Sequence, residues 1–318
     1  MGRRRSRTRN RKEENESPLF ALQKMGYQFF SPQSSAALKP CMWCKRAIMG
    51  EEMCYKHQFY GIESHRCVQL TPTLSCNHRC LFCWRSFEHR YPHERDLEPQ
   101  EIIDRIPFLQ KKSLAGYKVS HRTDPIRYQE SLTPNQVAIS LSGEPTLYTH
   151  LPELIDLLNK KECTTFLVSN GTNPDMLREC RPYQLYVSLV APDRDTYHVV
   201  ARPLYDSYED VLCSLSELGD AKDQRTAIRV TLVSGLNDHN PDGYARIIQD
   251  SGADFVEIKG YMHVGYSQYR LTQNHMPSQN TIVKFSDMIM QHSDYSVVGV
   301  NEASRVVCLG RDSAISFS

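Results

Sequence analysis

The sequence predicts an α/β fold in which a parallel sheet curves into a partial barrel of about six β/α units. Two observations predict it: short apolar runs rich in β-branched residues recur along the chain, and a helix-length amphipathic stretch follows most of them. Successive β-then-α units place parallel strands side by side and connect them by crossover helices. A closed or partly closed barrel fits this alternation better than an open doubly wound sheet, although periodicity alone does not separate the two.

The elements follow in order along the chain. The predicted strands are apolar runs at residues 67–72, 137–143, 165–171, 185–190, 227–235 and 255–261. The predicted helices are amphipathic stretches at residues 99–112, 151–161, 174–180, 207–218, 241–250 and 279–292. Proline stands at or near the start of several of them, where its missing amide proton is tolerated. Two last apolar runs, 297–301 and 306–309, predict a hairpin-like closing element.

Four regions divide the 318 residues. Residues 1–17 are basic and then acidic without apolar periodicity, so we expect a disordered basic tail. Residues 18–65 show little regular pattern and are expected to form an N-terminal extension. The barrel should span residues 66–310, and residues 311–318 should form a C-terminal tail.

Charge and cysteine content narrow the class of protein. The 38 basic and 37 acidic residues give a net charge of +1, so attraction to nucleic acid must come from local clusters. The chain has neither an apolar run of about 18 residues nor an apolar stretch near its Arg-rich start, so we expect a cytoplasmic protein without a membrane span. Its 11 cysteines are an odd number and a reducing compartment would not hold disulfides, which favours metal binding.

One set of cysteines has the spacing C-x3-C-x2-C and follows the first predicted strand: Cys76, Cys80 and Cys83. Three thiolates so close together can hold three irons of a 4Fe-4S cluster and leave the fourth iron open. A zinc site would normally require a fourth protein ligand. Phe82 precedes the last cysteine and would shield such a cluster from water.

A second set lies upstream with the spacing C-x12-C-x12-C: Cys41, Cys54 and Cys67. The wide, equal spacing suits three ligands from separate turns, which again indicates a cluster with one open iron. Cys44 keeps an alternative open, because Cys41 and Cys44 have the commoner metal spacing and the four cysteines together would suit zinc.

The motif CNHRCLFCW at 76–84 resembles the signature of radical S-adenosylmethionine (SAM) enzymes, and SGEP at 142–145 resembles the glycine-glutamate-proline motif of the same superfamily. The resemblance implies a partial TIM barrel and an open iron that chelates SAM, whose carbon–sulfur bond is cleaved by one electron. Gly143 would let the backbone approach SAM closely, and Glu144 would accept a hydrogen bond from its ammonium group. Further candidate SAM contacts are Ser142, Asn170 and Ser188, although serine and asparagine at strand ends also cap helices.

A narrower resemblance rests on both cysteine sets together with EIKGYMHVGYSQYRL at 257–271 and NHMP at 274–277. These features resemble the tRNA wybutosine-synthesis radical SAM enzymes in their stand-alone, archaeal-type form. The resemblance implies a carbon–carbon lyase that joins carbons of pyruvate to 1-methylguanosine next to the anticodon of phenylalanine tRNA, giving the tricyclic base 4-demethylwyosine. It also implies two 4Fe-4S clusters. Because no flavin-binding segment precedes the cysteines, we expect an external one-electron reductant, and we expect a monomer.

The family's proposed Schiff-base lysine corresponds to Lys56, two residues after Cys54. A solvated lysine is the ordinary alternative. Interleaved aromatic and basic residues suit base stacking and phosphate pairing, and the tRNA contacts expected on this ground are Arg79, Arg85, Lys259, Tyr261 and Arg270.

Two other functions stay open on the sequence alone. One is a different radical SAM maturase with an auxiliary cluster, although such families usually carry the auxiliary cysteines after the barrel. The other is a non-catalytic, zinc-dependent RNA-binding protein.

Overall fold

The structure is a computed structural model of the whole chain, and it describes residues 18–87, 91, 95–221 and 223–311. The expected basic tail, residues 1–17, lies outside the described residues, as does the expected C-terminal tail beyond Arg311.

Six parallel strands form the centre of a ten-stranded sheet, in sequence order and each hydrogen-bonded to the next. They are β3 (Cys67–Thr71), β4 (Gln136–Ile139), β5 (Thr164–Ser169), β6 (Gln184–Ser188), β7 (Arg225–Leu232) and β8 (Phe255–Gly260). All six coincide with the predicted strands within a few residues. The prediction of successive β/α units is therefore confirmed.

Antiparallel strands extend both edges of this parallel centre. On one side, β1 (Gln28–Phe29) and β2 (Ala37–Lys39) lead into β3. On the other side, β10 (Val306–Gly310) pairs with β8, and β9 (Ser296–Asn301) pairs with β10, which confirms the closing hairpin. In the described part of the chain, β1 and β9 end the strand order without pairing with each other, so the barrel is partial.

Eleven α-helices are present in the described residues. They are α1 (Pro18–Lys24), α2 (Met42–Ile48), α3 (Tyr55–Tyr60), α4 (Pro99–Leu114), α5 (Pro125–Ser131), α6 (Leu151–Lys160), α7 (Pro174–Glu179), α8 (Arg194–Ala201), α9 (Tyr208–Ser216), α10 (Pro241–Ser251) and α11 (Gln279–Met290). Proline occupies the first turn of α4, α5, α6, α7 and α10, as its fixed φ angle favours. All six predicted helices are confirmed; the five others lacked a clear pattern.

Each face of the sheet packs against a different set of side chains. One face carries residues such as Leu167 and Val256, which pack against the crossover helices in the main core. The other face lines the barrel interior, where Phe166 and Phe255 contact Tyr55 and other side chains of α3. The N-terminal extension therefore fills the interior from the open side of the barrel. None of the helices in the described ranges is long and apolar enough to cross a membrane.

Candidate active site

The C-x3-C-x2-C set lies in the loop that follows β3, at the carboxyl edge of the sheet. Burial raises the pKa of the Cys76 thiol to about 11, while the nearby Arg85 guanidinium opposes the rise. Burial and the proximity of Cys83 raise the pKa of Cys80 as well. The three sulfurs therefore share one desolvated space. Because such buried thiols give up their protons most readily to a metal, the donor set fits an iron–sulfur cluster.

The SGEP turn, residues 142–145, packs against this cysteine loop. Gly143 has a φ of +77°, and a Cβ atom there would overlap the carbonyl oxygen of Thr73 and lie 2.8 Å from that of Ser75. The amide of Glu144 donates to the same Ser75 oxygen at 2.7 Å. Only glycine allows this approach, so the turn and the cysteine loop form one continuous backbone surface.

Glu144 is 2% exposed, and its carboxylate accepts hydrogen bonds from protein groups. One oxygen accepts from the Thr146 amide and hydroxyl and from the Ser169 hydroxyl, and the other accepts from the Asn170 amide at 2.7 Å. Burial raises its pKa, and these donors oppose the rise. The carboxylate thus joins the ends of β4 and β5. Its contact with a SAM ammonium stays a prediction.

The other predicted SAM contacts lie around the same edge. The Asn170 side chain donates to the side-chain oxygen of Asn77 in the cysteine loop at 2.8 Å. Ser188 ends β6, and Ser142 accepts a long hydrogen bond of 3.5 Å from Tyr27. Phe82 is partly buried against the core. The structure therefore brings these side chains to one end of the barrel.

The upstream cysteines come from three different elements and converge. Cys41 caps α2, and its sulfur accepts from the Cys44 amide at 3.2 Å; Cys54 precedes α3, and its sulfur accepts from the Ser64 hydroxyl at 3.2 Å; Cys67 begins β3. Burial raises the pKa of Cys67, and its proximity to Cys41 and Cys54 raises it further. The wide spacing in sequence therefore becomes a compact set in space.

Cys44 lies beside this set of three cysteines. Its side chain is buried, its thiol donates to the backbone oxygen of His65 at 3.5 Å, and burial followed by the proximity of Cys41 raises its pKa. In the described part of the chain, no three His, Cys, Asp or Glu side chains approach closely enough to hold a single metal ion. Cluster ligands stand farther apart than the ligands of one zinc ion, because each thiolate binds a different iron.

Lys56, on α3, extends its amine into the barrel interior. The nitrogen lies 4.0 Å from the centre of the Phe166 ring and 4.4 Å from that of Tyr186. The pKa of Lys56 is lowered to about 8, mainly by burial and then by the guanidinium of Arg229, while the carboxylate of Glu257 acts in the opposite direction. The position therefore favours a nucleophilic amine far more than a solvated surface lysine.

A fully buried carboxylate lies near the Lys56 amine and accepts hydrogen bonds from four side chains. Glu257 accepts hydrogen bonds from Tyr55 at 3.0 Å, Tyr60 at 2.8 Å and Tyr186 at 3.0 Å, and from Arg229 at 2.6 Å. Burial would raise the pKa of Glu257, but Arg229 and the other donors hold it below its usual value. The carboxylate is thus compensated by four donors, as a buried charge requires, whereas Nε of Arg229 is buried without a hydrogen-bond partner among the residues that the structure describes.

Two of the arginines expected to contact tRNA brace the cysteine loop. Arg85 is 6% exposed and donates to the backbone oxygen of Leu74 at 2.7 Å. Arg270 donates to the backbone oxygen of Leu81 at 3.1 Å and to that of Cys83. Their guanidinium groups thus hold the loop in place, and their contact with tRNA stays a prediction.

The remaining expected tRNA contacts divide between interior and surface. The Lys259 amine faces the interior and donates to the Ser304 backbone oxygen at 2.6 Å, and burial lowers its pKa to about 8. Tyr261 is 2% exposed and its hydroxyl donates to Ser267. Both side chains are largely buried, and their contact with tRNA stays a prediction. Arg79 is exposed at the cysteine loop, so it stays a candidate.

Several side chains of the site were missed from the sequence. Arg229 and Glu257 stand between apolar residues within strands β7 and β8, and a charge at such a position is a signal of a buried polar site. Lys39 and Trp84 were missed because their shared surface arises from segments far apart in sequence. The Lys39 nitrogen lies 5.5 Å from the centre of the Trp84 ring.

Comparison with known proteins agrees with this geometry. The family model for the radical SAM superfamily matches residues 70–248, and the model for wyosine base formation matches residues 250–311. The SAM-dependent tRNA 4-demethylwyosine synthase of Pyrococcus horikoshii is 42% identical over 87% of this chain and 84% of its own length. That of Methanocaldococcus jannaschii is 38% identical over 91% and 94%.

A solved structure of TYW1 with a lysine-pyruvate adduct bound superposes with a TM-score of 0.84 at 36% identity, covering 93% of this chain and 95% of that one. A crystal structure of archaeal TYW1 gives a TM-score of 0.76 at 33% identity with the same coverage. The resemblance read from the two cysteine sets is therefore confirmed. The chain belongs to the radical SAM superfamily and, within it, to the S-adenosyl-L-methionine-dependent tRNA 4-demethylwyosine synthases.

Proposed function

We propose that this protein condenses pyruvate with 1-methylguanosine next to the anticodon of phenylalanine tRNA and so forms 4-demethylwyosine. The observation that carries the proposal is the desolvated amine of Lys56 beside the upstream cysteines, in a chain that superposes on a relative holding a lysine–pyruvate adduct. A neutral amine in this position can attack the keto carbon of pyruvate and expel water to form an imine.

The surroundings of Lys56 suit that step. The rings of Phe166 and Tyr186 shield the amine in part from water, and Arg229 favours its neutral form. The hydroxyls of Tyr55 and Tyr186 are held in place by Glu257. The chain thus supplies an oriented nucleophile in a dry pocket.

We further propose that Cys76, Cys80 and Cys83 hold one 4Fe-4S cluster whose open iron binds SAM. When bound, cluster and SAM supply the radical chemistry of the superfamily. The close packing of Gly143 against the cysteine loop supports this assignment, since the side chain of a larger residue would overlap that loop. Asn170, Ser188 and Glu144 are the side chains at that edge expected to orient SAM.

The convergence of Cys41, Cys54 and Cys67 supports a second 4Fe-4S cluster close to the Lys56 amine. The lyase type of the reaction, the external reductant, the monomeric state and the cytoplasmic location stay predictions from the sequence. Membership in the synthase family disfavours both a different maturase and a non-catalytic zinc protein.

Anaerobic turnover tests the proposal. Reconstituted protein, SAM, dithionite and pyruvate are incubated with phenylalanine tRNA that carries or lacks the guanosine methyl group, and digested nucleosides are analysed by mass spectrometry. We expect 4-demethylwyosine only from methylated tRNA with the wild-type protein, and none with Lys56→Ala. Absence of the product from wild-type protein with a full iron content would overturn the proposal.

A further inference from the structure

An open cavity of about 500 Å³ lies where the N-terminal extension meets the cysteine loop. Its wall combines lysine, aromatic and apolar side chains from three separate segments, among them Lys39, Cys41, Met42, Lys45, Trp84 and Val264. Ser140 and Leu141, just before the SGEP turn, also line it. No step proposed above uses this cavity.

The cavity adjoins both cysteine sets. Cys41, of the upstream set, is part of the wall, and Trp84 directly follows Cys83 of the downstream set. A molecule seated here would therefore lie between the two proposed clusters. A substrate that reacts with SAM at the downstream set and with pyruvate on Lys56, beside the upstream set, must lie in this region.

Trp84 is held rigidly at this place. Its ring centre lies 6.0 Å from that of Tyr27, and the Lys39 nitrogen lies near both rings, 5.3 Å from Tyr27 and 5.5 Å from Trp84. The Trp84 backbone oxygen accepts from the Tyr266 amide at 2.9 Å, and Gly265, with a φ of +59°, allows the close approach. A fixed indole with one face on a cavity is a ready stacking platform for a base.

The charged and apolar side chains of the cavity also favour a nucleotide as its occupant. Lys39 and Lys45 both line the cavity, so two amines face the same small space. Met42 and Val264, both in the cavity wall, are 60% and 48% exposed. Cationic groups interleaved with apolar and aromatic surface match a base with its flanking phosphates.

We propose that this cavity receives the methylated guanine of tRNA, extruded from the anticodon loop, with Trp84 as the stacking face and Lys39 and Lys45 pairing with the adjacent phosphates. The assignment rests on the proposed function, because it takes that substrate as given. It differs from the sequence-based set of tRNA contacts, most of which brace the cysteine loop or lie inside the barrel.

Photocrosslinking tests the position directly. Holoenzyme is bound anaerobically to phenylalanine tRNA carrying 6-thioguanosine at the target position, irradiated at long wavelength and digested, and the crosslinked peptide is identified by mass spectrometry. We expect the crosslink on the peptide containing Trp84 or on the segment from Lys39 to Lys45. A crosslink confined to peptides outside this cavity would overturn the proposal.

Binding variants provide a second readout. Trp84→Ala should weaken binding of methylated tRNA by about tenfold or more, whereas Trp84→Phe should keep most of it. Lys39→Ala should reduce the slope of log affinity against log salt by about one. Matched controls are Trp43→Ala at the other tryptophan, which pairs with Arg46, and Lys24→Ala, whose amine lies over Phe20.

Iron content and tRNA-independent SAM cleavage show that each variant retains its clusters. If Trp84→Ala binds methylated tRNA as tightly as the wild type, or if Trp43→Ala loses as much, Trp84 is not the stacking face. Failure of the proposed function is distinguishable from this result, because wild-type protein would then form no tricyclic product with methylated tRNA.

Discussion

Four ionisable side chains set the character of the barrel interior: Lys56, Arg229, Glu257 and Lys259. Glu257 accepts from three tyrosines and from Arg229, and the amine of Lys56 lies over two aromatic rings. An isolated charge at this depth would cost several kcal/mol, so the groups persist only together. We infer that the network holds Lys56 in place for reaction rather than serving stability alone.

Glu257→Gln should lower the free energy of unfolding by roughly 3 kcal/mol at neutral pH, because Arg229 then lacks its counter-charge. The pKa of Glu257 is depressed in the folded protein, so its stabilisation is present above about pH 4.3, the usual glutamate value, and is lost as the pH falls through the depressed pKa.

Urea unfolding at pH 7 and near pH 3 checks this, with the exposed Glu302→Gln as the control. The gap between wild type and Glu257→Gln should narrow at the lower pH. An equal gap at both pH values would contradict the linkage.

Borohydride reduction with labelled pyruvate should attach the label to Lys56. Lys259→Ala is the matched control, because that lysine is also buried and also has its pKa lowered to about 8. The label should survive in Lys259→Ala and vanish in Lys56→Ala, as shown by peptide mass spectrometry. Labelling of Lys259 in the wild type would reassign the imine.

The turn after β4 links the sheet to the cysteine loop. Gly143 combines a left-handed backbone with a close approach to the Thr73 carbonyl, whereas Gly235 has nearly the same φ, +76°, with open space around it. Comparing the same substitution at the two glycines therefore separates the effect of backbone strain from that of steric overlap.

Gly235→Ala should cost about 1–2 kcal/mol in the free energy of unfolding, which is the penalty of a left-handed alanine. Gly143→Ala should cost more and should also abolish SAM cleavage, because the turn must move away from the cysteine loop. Urea unfolding and an assay of 5′-deoxyadenosine release provide the measurements. Equal effects of the two substitutions on both readouts would show that overlap at Gly143 is unimportant.

The β/α units were predictable because each long helix has a clear apolar stripe and several begin at proline. Helices α2 and α3 were not, since they are short and no predicted strand precedes them, whereas the equally short α7 follows a predicted strand and begins at proline. Alternation indicated that Glu257 and Lys259 share one face of β8, but not that this face is the interior. Their facing direction depends on α3, which arrives from a distant part of the chain.

The whole molecule places two cysteine sets around one pocket. Both sets were visible from spacing, because 4Fe-4S clusters are held by cysteine thiolates whatever the surrounding fold. The cavity between them was not, since Lys39 and Trp84 meet only after β2 pairs with β3.

Cysteine variants separate the roles of the two sets. Wild-type protein should carry about eight irons per chain after reconstitution, and Cys80→Ala and Cys54→Ala about four each. Cys80→Ala should lose SAM cleavage, whereas Cys54→Ala should keep uncoupled cleavage without forming the tricyclic base. Cys213→Ala, a half-buried cysteine on α9 outside both sets, is the control. Normal product from Cys54→Ala would mean that the upstream set is not needed for the chemistry.

The origin of the new ring atoms is the most direct test of the proposed reaction. Turnover of methylated phenylalanine tRNA with pyruvate labelled with carbon-13 at its keto and methyl carbons should give 4-demethylwyosine heavier by two labelled carbons. Label at the carboxyl carbon alone should be absent from the base. A product without label, or no tricyclic product from protein with both clusters, would contradict the account.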